Sequence, residues 1–218
     1  QDLCAQVFGE GRLSLCAPSS SRCTEGAMAL LHPMVQFLLH SPPDELLEHL
    51  YLGGQSNASN LNVLRDLGIT HVLNVADDVE CFHPEQFQYY HVKIQDGGHD
   101  SSIVEAFTSA AHFVEAAAQE GGKVLIHCAM GVNRSATIAM AVLMQSQGWS
   151  LREAYEHTKA RRPCIGPFAG NKEKIAAWEL QTRSECSMPE WLSQAAGEKP
   201  QESEAQGTRQ SSNTALTG

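Results

Sequence analysis

From residue 49 to residue 183 the chain alternates short apolar runs of β-type residues with amphipathic helical segments, a pattern that few architectures accommodate. Strands are predicted over 49–52, 71–75, 89–94 and 123–126. Helices are predicted over 60–67, closed by Gly68, over 102–119, stopped at Gly121-Gly122, and over 135–147. Two more should follow, one opening at Ser150 and ending before Pro163, the other over 171–183. Ser102 with Glu105, and Ser150 with Glu153, match the capping box, in which a hydroxyl and a carboxylate satisfy free N–H groups at a helix start. Strands alternating with helices imply a single α/β domain with a central, mostly parallel sheet flanked by helices.

The flanks read differently. Residues 1–25 show no sustained period and are expected to be weakly ordered. Residues 26–42 suggest a packing helix interrupted at Pro33, then a linker. From 195 to 218 the chain has almost nothing apolar and is expected to be disordered. The net charge of −10 disfavours nucleic acid and anionic membranes as partners. Seven scattered cysteines without zinc-like spacing fit a reduced, intracellular protein better than a disulfide framework. His83, His91, His99 and His112 lack chelating spacing, so no metal site is predicted.

The most specific segment is His127-Cys128-Ala129-Met130-Gly131-Val132-Asn133-Arg134-Ser135, between a buried strand and a helix. Free N–H groups and the helix dipole make such a junction a cradle for an anion. A cysteine under those N–H groups is favoured as the thiolate. Gly131 permits the tight turn that lets Ala129, Met130, Gly131, Val132 and Asn133 offer backbone to an anion. Arg134 can grip two phosphate oxygens with its planar fork, and Ser135 can donate to the sulfur. An isolated intracellular cysteine is usually a small buried hydrophobe. Cysteine and arginine six positions apart around a glycine, bracketed by His127 and Ser135, reverse that reading.

This loop resembles the signature of the protein tyrosine phosphatase superfamily. The runs Leu50-Tyr51-Leu52-Gly53 and 67–75 are similar to its dual-specificity branch, and the small atypical group in particular. The resemblance implies a phosphatase domain over 43–190 that needs no metal or cofactor. It implies Cys128 as nucleophile, Arg134 as phosphate ligand, Ser135 as partner of the sulfur and His127 in support. It places the general acid at Asp96, in Ile94-Gln95-Asp96-Gly97-Gly98, with Asp100 as competitor; the bland reading of Asp100 is a carboxylate at a helix start. The implied substrate is phosphorylated protein bearing phosphotyrosine or phosphoserine/threonine, met in the cytoplasm and the nucleus. A phosphoprotein-binding scaffold with little turnover, and a phosphatase for RNA ends or lipid, stand as alternatives. Cys81 and Cys164 are candidates to pair with an oxidised Cys128, against the commoner reading of both as structural thiols. The family's Pro-Asn-x-Gly-Phe stretch reads here Pro167-Phe168-Ala169-Gly170-Asn171, which puts the packing of this segment in question.

Overall fold

A computed structural model describes residues 41–192. The expected N-terminal segment, the helix before Pro42 and the C-terminal tail lie outside the described residues. Five strands form one sheet: β1 (Asp44–Leu47), β2 (Leu50–Gly54), β3 (His71–Asn74), β4 (Gln88–His91) and β5 (Val124–Cys128). Their order is β1-β2-β5-β3-β4. β1 runs antiparallel to β2, and every other pairing is parallel.

β5 lies in the middle, between β2 and β3, and all five of its residues are buried. A central parallel strand is covered on both faces, which is why Val124, Leu125 and Ile126 are apolar in succession. Alternate side chains still go opposite ways. Val124 and Ile126 enter the larger core, with Phe107, Ile138 and Leu143, whereas Leu125 joins Tyr51, Leu64, Val72 and Phe87 in the smaller one. The helices are α1 (Gln55–Ala58), α2 (Leu61–Asp66), α3 (Ser102–Gln119), α4 (Arg134–Gln147), α5 (Leu151–Arg161) and α6 (Ala169–Arg183). α4 carries an unbroken buried run from Arg134 to Met144, as befits a helix between the sheet and its neighbours.

The mostly parallel α/β sheet agrees with the sequence pattern, with four differences of detail. β1 and α1 were not anticipated; β1 is short, and its Asp44 and Glu45 mask the apolar alternation. The strand predicted over 89–94 ends at His91, because the following backbone turns away from the ladder. There the Ile94 carbonyl accepts from Arg134 Nη1 at 3.0 Å and from the Asp77 N–H at 3.3 Å. The box at Ser102 does not form. Ser102 lies inside the helix with its buried hydroxyl unpartnered, and Asp100 Oδ1 accepts from the Ser102 N–H at 2.9 Å instead. A carboxylate two residues upstream has taken the capping role. The box at Ser150 and Glu153 forms as predicted.

Candidate active site

The C-terminal end of β5 delivers Cys128 to the start of a loop that closes at Arg134, the first residue of α4. Register fixes its position: Cys128 pairs with Gly54 of β2, and His127 with Asn74 of β3. The loop carbonyls are all engaged from outside. Those of Ala129 and Val132 accept from the Gln55 and Gly166 N–H groups, each at 2.9 Å. The Met130 and Gly131 carbonyls accept from Arg162, at 3.2 Å to Nη2 and 2.7 Å to Nε. The Asn133 carbonyl accepts from the Thr137 N–H at 3.0 Å, the first turn of the helix. In a planar trans peptide the N–H points opposite to its carbonyl. The amides of Met130 through Arg134 therefore face the sulfur side, and the Gly131 N–H donates to Cys128 Sγ at 3.3 Å.

Gly131 makes this path possible, with φ +70°. A Cβ there would collide with the Gly53 carbonyl and lie 2.7 Å from Arg162 Nη2. Gly54 is constrained too: a Cβ would come 2.9 Å from the Ala129 carbonyl oxygen. Ser135 Oγ sits 3.2 Å from Cys128 Sγ.

The Arg134 side chain is buried at 1% exposure, and its donors divide into two groups. Nη1 is held by Asp78 Oδ1 at 2.6 Å, Asp77 Oδ1 at 3.3 Å and the Ile94 carbonyl; Nη2 reaches Asp96 Oδ2 at 3.4 Å. Nε is buried without a hydrogen-bond partner. Burial works against the charged guanidinium, but the hydrogen bond to Asp78 and the negative charges around it hold its pKa above the ordinary arginine value. The same contact lowers the pKa of Asp78.

Asp96 stands on the loop after β4 with its side chain half exposed. Its Oδ1 accepts from Asn133 Nδ2 at 2.7 Å and from the Gly97 N–H at 3.0 Å. Asp100 is occupied otherwise. Its Oδ2 accepts from the Gln95 N–H at 2.8 Å and its Oδ1 from Ser102, and these bonds, the Gln95 one foremost, keep its carboxyl below the usual range. Asp96 thus meets the cysteine loop, and Asp100 staples the base of its own loop. His127 is fully buried, and burial pushes its pKa down to about 4; Nδ1 lies 3.4 Å from the Cys128 carbonyl oxygen. A neutral, enclosed imidazole fits packing rather than proton transfer.

The segment after α5 packs against the loop despite its unusual order. Asn171 is buried and donates through Nδ2 to Asn133 Oδ1 at 2.9 Å, while Phe168 turns outward at 47% exposure. Cys81, Cys164 and Cys186 are free thiols, as is Cys128. Sequence reasoning missed Asp77, Asp78, Asp44 and Arg162, whose Nη1 pairs with Asp44 Oδ2 at 2.5 Å. The one signal was the adjacent aspartate pair following a predicted strand. Among the described residues, no three His, Cys, Asp or Glu side chains gather as a metal site, and no helix is long and apolar enough to cross a membrane.

The curated protein phosphatase Slingshot of Drosophila melanogaster is 39% identical over 125 residues, which cover 57% of this chain and 12% of that protein. Dual specificity protein phosphatase 1 of Arabidopsis thaliana is 39% identical over 128 residues, covering 59% of this chain and 64% of that one. The chain therefore spans less than two-thirds of the length of either relative. Among solved structures, the human tyrosine phosphatase-like serine/threonine/tyrosine-interacting protein is 31% identical, with a TM-score of 0.60, covering 64% of this chain and 97% of that one. The structure of DUSP15 is 26% identical, also with a TM-score of 0.60, covering 63% of this chain and 87% of that one. The family model for the dual specificity phosphatase catalytic domain matches residues 50–181, which include every strand but β1 and the whole Cys128–Arg134 loop, and on that match the chain belongs to the dual specificity phosphatase family.

Proposed function

We propose that the domain hydrolyses phosphotyrosine and phosphoserine/threonine monoesters on protein through a phospho-cysteine at Cys128. The observation that carries this reading is the set of loop carbonyls drawn outward by Gln55, Arg162, Gly166 and Thr137. With the amides turned inward around a cysteine, and a buried Arg134 Nε free to donate, the loop suits a tetrahedral oxyanion.

The chemistry follows from these positions. Cys128 Sγ attacks phosphorus in line with the ester oxygen. The S–P bond forms as the P–O bond breaks, and Asp96 gives its proton to the departing oxygen. Arg134 Nε and Nη2 and the loop amides hold the three equatorial oxygens, where charge accumulates. In the second step Asp96 takes a proton from water as its oxygen bonds to phosphorus. The S–P pair returns to sulfur, and inorganic phosphate leaves. Ser135 Oγ, 3.2 Å from Sγ, supports the sulfur as it departs. His127 stays neutral and shapes the strand end.

A second reading, a phosphoprotein-binding scaffold with little turnover, draws on the likeness to the interacting protein named above. Turnover separates the two. Wild-type protein should release phosphate from phosphotyrosine, phosphoserine and phosphothreonine peptides, and Cys128→Ser should abolish release while keeping phosphopeptide affinity. Residual turnover in that variant excludes the covalent route, and phosphopeptide binding by a wild-type protein without turnover supports the scaffold.

A further inference from the structure

The first turn of α6 is joined to the catalytic loop by contacts that the chemistry above does not use. Asn133 stands at their centre. Its Oδ1 accepts from the Phe168 N–H at 2.9 Å and from Asn171 Nδ2 at 2.9 Å. A backbone N–H can only donate, so the Phe168 amide fixes which end of the Asn133 side chain is oxygen. The other end, Nδ2, must then face Asp96 Oδ1, 2.7 Å away. Asn171 is buried at 2% exposure, so its donor is held without competition from solvent.

The effect on Asp96 is directional. Oδ1 receives two donors, Asn133 Nδ2 and the Gly97 N–H, and has little room to carry a proton. Oδ2 takes only the longer contact from Arg134 Nη2 at 3.4 Å, a donor that the phosphate oxygens would claim, so the proton for transfer is left to Oδ2. The first two turns of α6 also grip the acid loop at its backbone. Lys174 Nζ donates to the Gly98 carbonyl at 2.5 Å, and Gly170 approaches that carbonyl so closely that a Cβ would not fit.

We infer that Asn171 is a positioning residue for the proton donor, acting through Asn133 to present Asp96 Oδ2 to the leaving group. The inference rests on the reading of Asp96 as general acid. Asn171 touches no reacting atom; it locks the amide that orients the carboxylate. The exchange of Asn and Phe in 167–171 is therefore no defect: it brings a buried donor to the Asn133 oxygen.

The test compares a phosphoserine peptide, whose alkoxide must be protonated, with p-nitrophenyl phosphate, whose leaving group needs little help. Loss of one buried hydrogen bond in Asn171→Ala should lower kcat on the peptide about fivefold and leave the aryl ester within about twofold. Asn171→Asp keeps the shape but sets a carboxylate against Asn133 Oδ1; it should show the same selectivity with a larger loss, and it serves if the alanine variant fails to fold. In an Asp96→Ala background either substitution should have no further selective effect, because its target is gone. Equal loss on both substrates, equal loss with and without Asp96, or no loss on the peptide in a folded variant would overturn the inference. If Asp96→Ala is itself unselective between the substrates, the acid assignment falls and this inference with it. If Asp96→Ala is selective and the Asn171 variants are not, only the inference falls.

Discussion

Arg162 Nε donates to the Gly131 carbonyl at 2.7 Å, so the glycine at the centre of the Cys128–Arg134 loop is held from behind by a buried arginine 31 residues downstream. Two arginines thus share the loop: Arg134 faces its concave side, and Arg162 fastens its back.

Arg162→Ala should destabilise the domain by about 3 kcal/mol in urea unfolding, the usual cost of breaking a buried ion pair from one side. Asp44, its partner at 2.5 Å, is mostly enclosed at 22% exposure. Arg162→Lys should recover part of the stability but little of the turnover. One ammonium cannot reach Asp44 and the Gly131 and Met130 carbonyls together in the geometry of the planar fork. Full activity in the lysine variant would show that the loop does not need this support.

Asp96→Ala should slow phosphoserine turnover by about 10²-fold or more, within the range for loss of a general acid, and aryl phosphate turnover much less. Asp100→Ala should show no such selectivity. It removes the acceptor for the Gln95 and Ser102 N–H groups and should cost about 1 kcal/mol of stability, as loss of a helix cap does. The reverse pattern would move the acid to Asp100.

His127 links stability to pH. Its pKa falls from an ordinary 6.5 to about 4 on burial, so between those values the unfolded chain binds the proton and the folded chain does not. Stability should therefore decline as pH drops from 6.5 towards 4, by about 3 kcal/mol for a gap of that size. His127→Gln should flatten that part of the profile in denaturant titrations at successive pH values. An unchanged slope would assign the acid sensitivity to other groups.

Gly131→Ala tests the loop path itself. A side chain at φ +70° is strained, and its Cβ has no room beside Gly53 and Arg162. Turnover should fall by about 10²-fold, the scale of an ångström-sized misplacement. Near-normal kinetics would mean that the loop can take another path without harm.

Much of the Cys128–Arg134 loop was legible because its logic is local. A buried strand, a glycine at the turn and a helix start within a dozen residues dictate where Cys128, Arg134 and Ser135 stand. The partners that hold the loop were not legible, since Asp44 and Arg162 are 118 residues apart and meet only through the sheet edge and α5. Asp77 and Asp78 likewise reach Arg134 across 57 and 56 residues. Ser102 misled for a different reason: its spacing to Glu105 matches the capping rule, but Asp100 competes for the same N–H and wins. The end of β4 was overrun because Val92, whose N–H still donates to the Asn74 carbonyl of β3 at 2.8 Å, and Ile94 continue the alternation past the end of the strand.

The carboxylates around Arg134 also bear on how substrate arrives. Asp77, Asp78 and Asp96 place three acids beside one guanidinium, on a chain whose net charge is −10. A phosphate dianion in free diffusion should meet repulsion until the loop amides come within reach. The encounter should therefore quicken as added salt shortens the range of that field, the reverse of electrostatically steered capture. If the proposed substrate reading holds, phosphopeptides with basic residues flanking the phosphate should lose that repulsion and with it the salt response, and the site would filter partners at a distance, before its short-range contacts form.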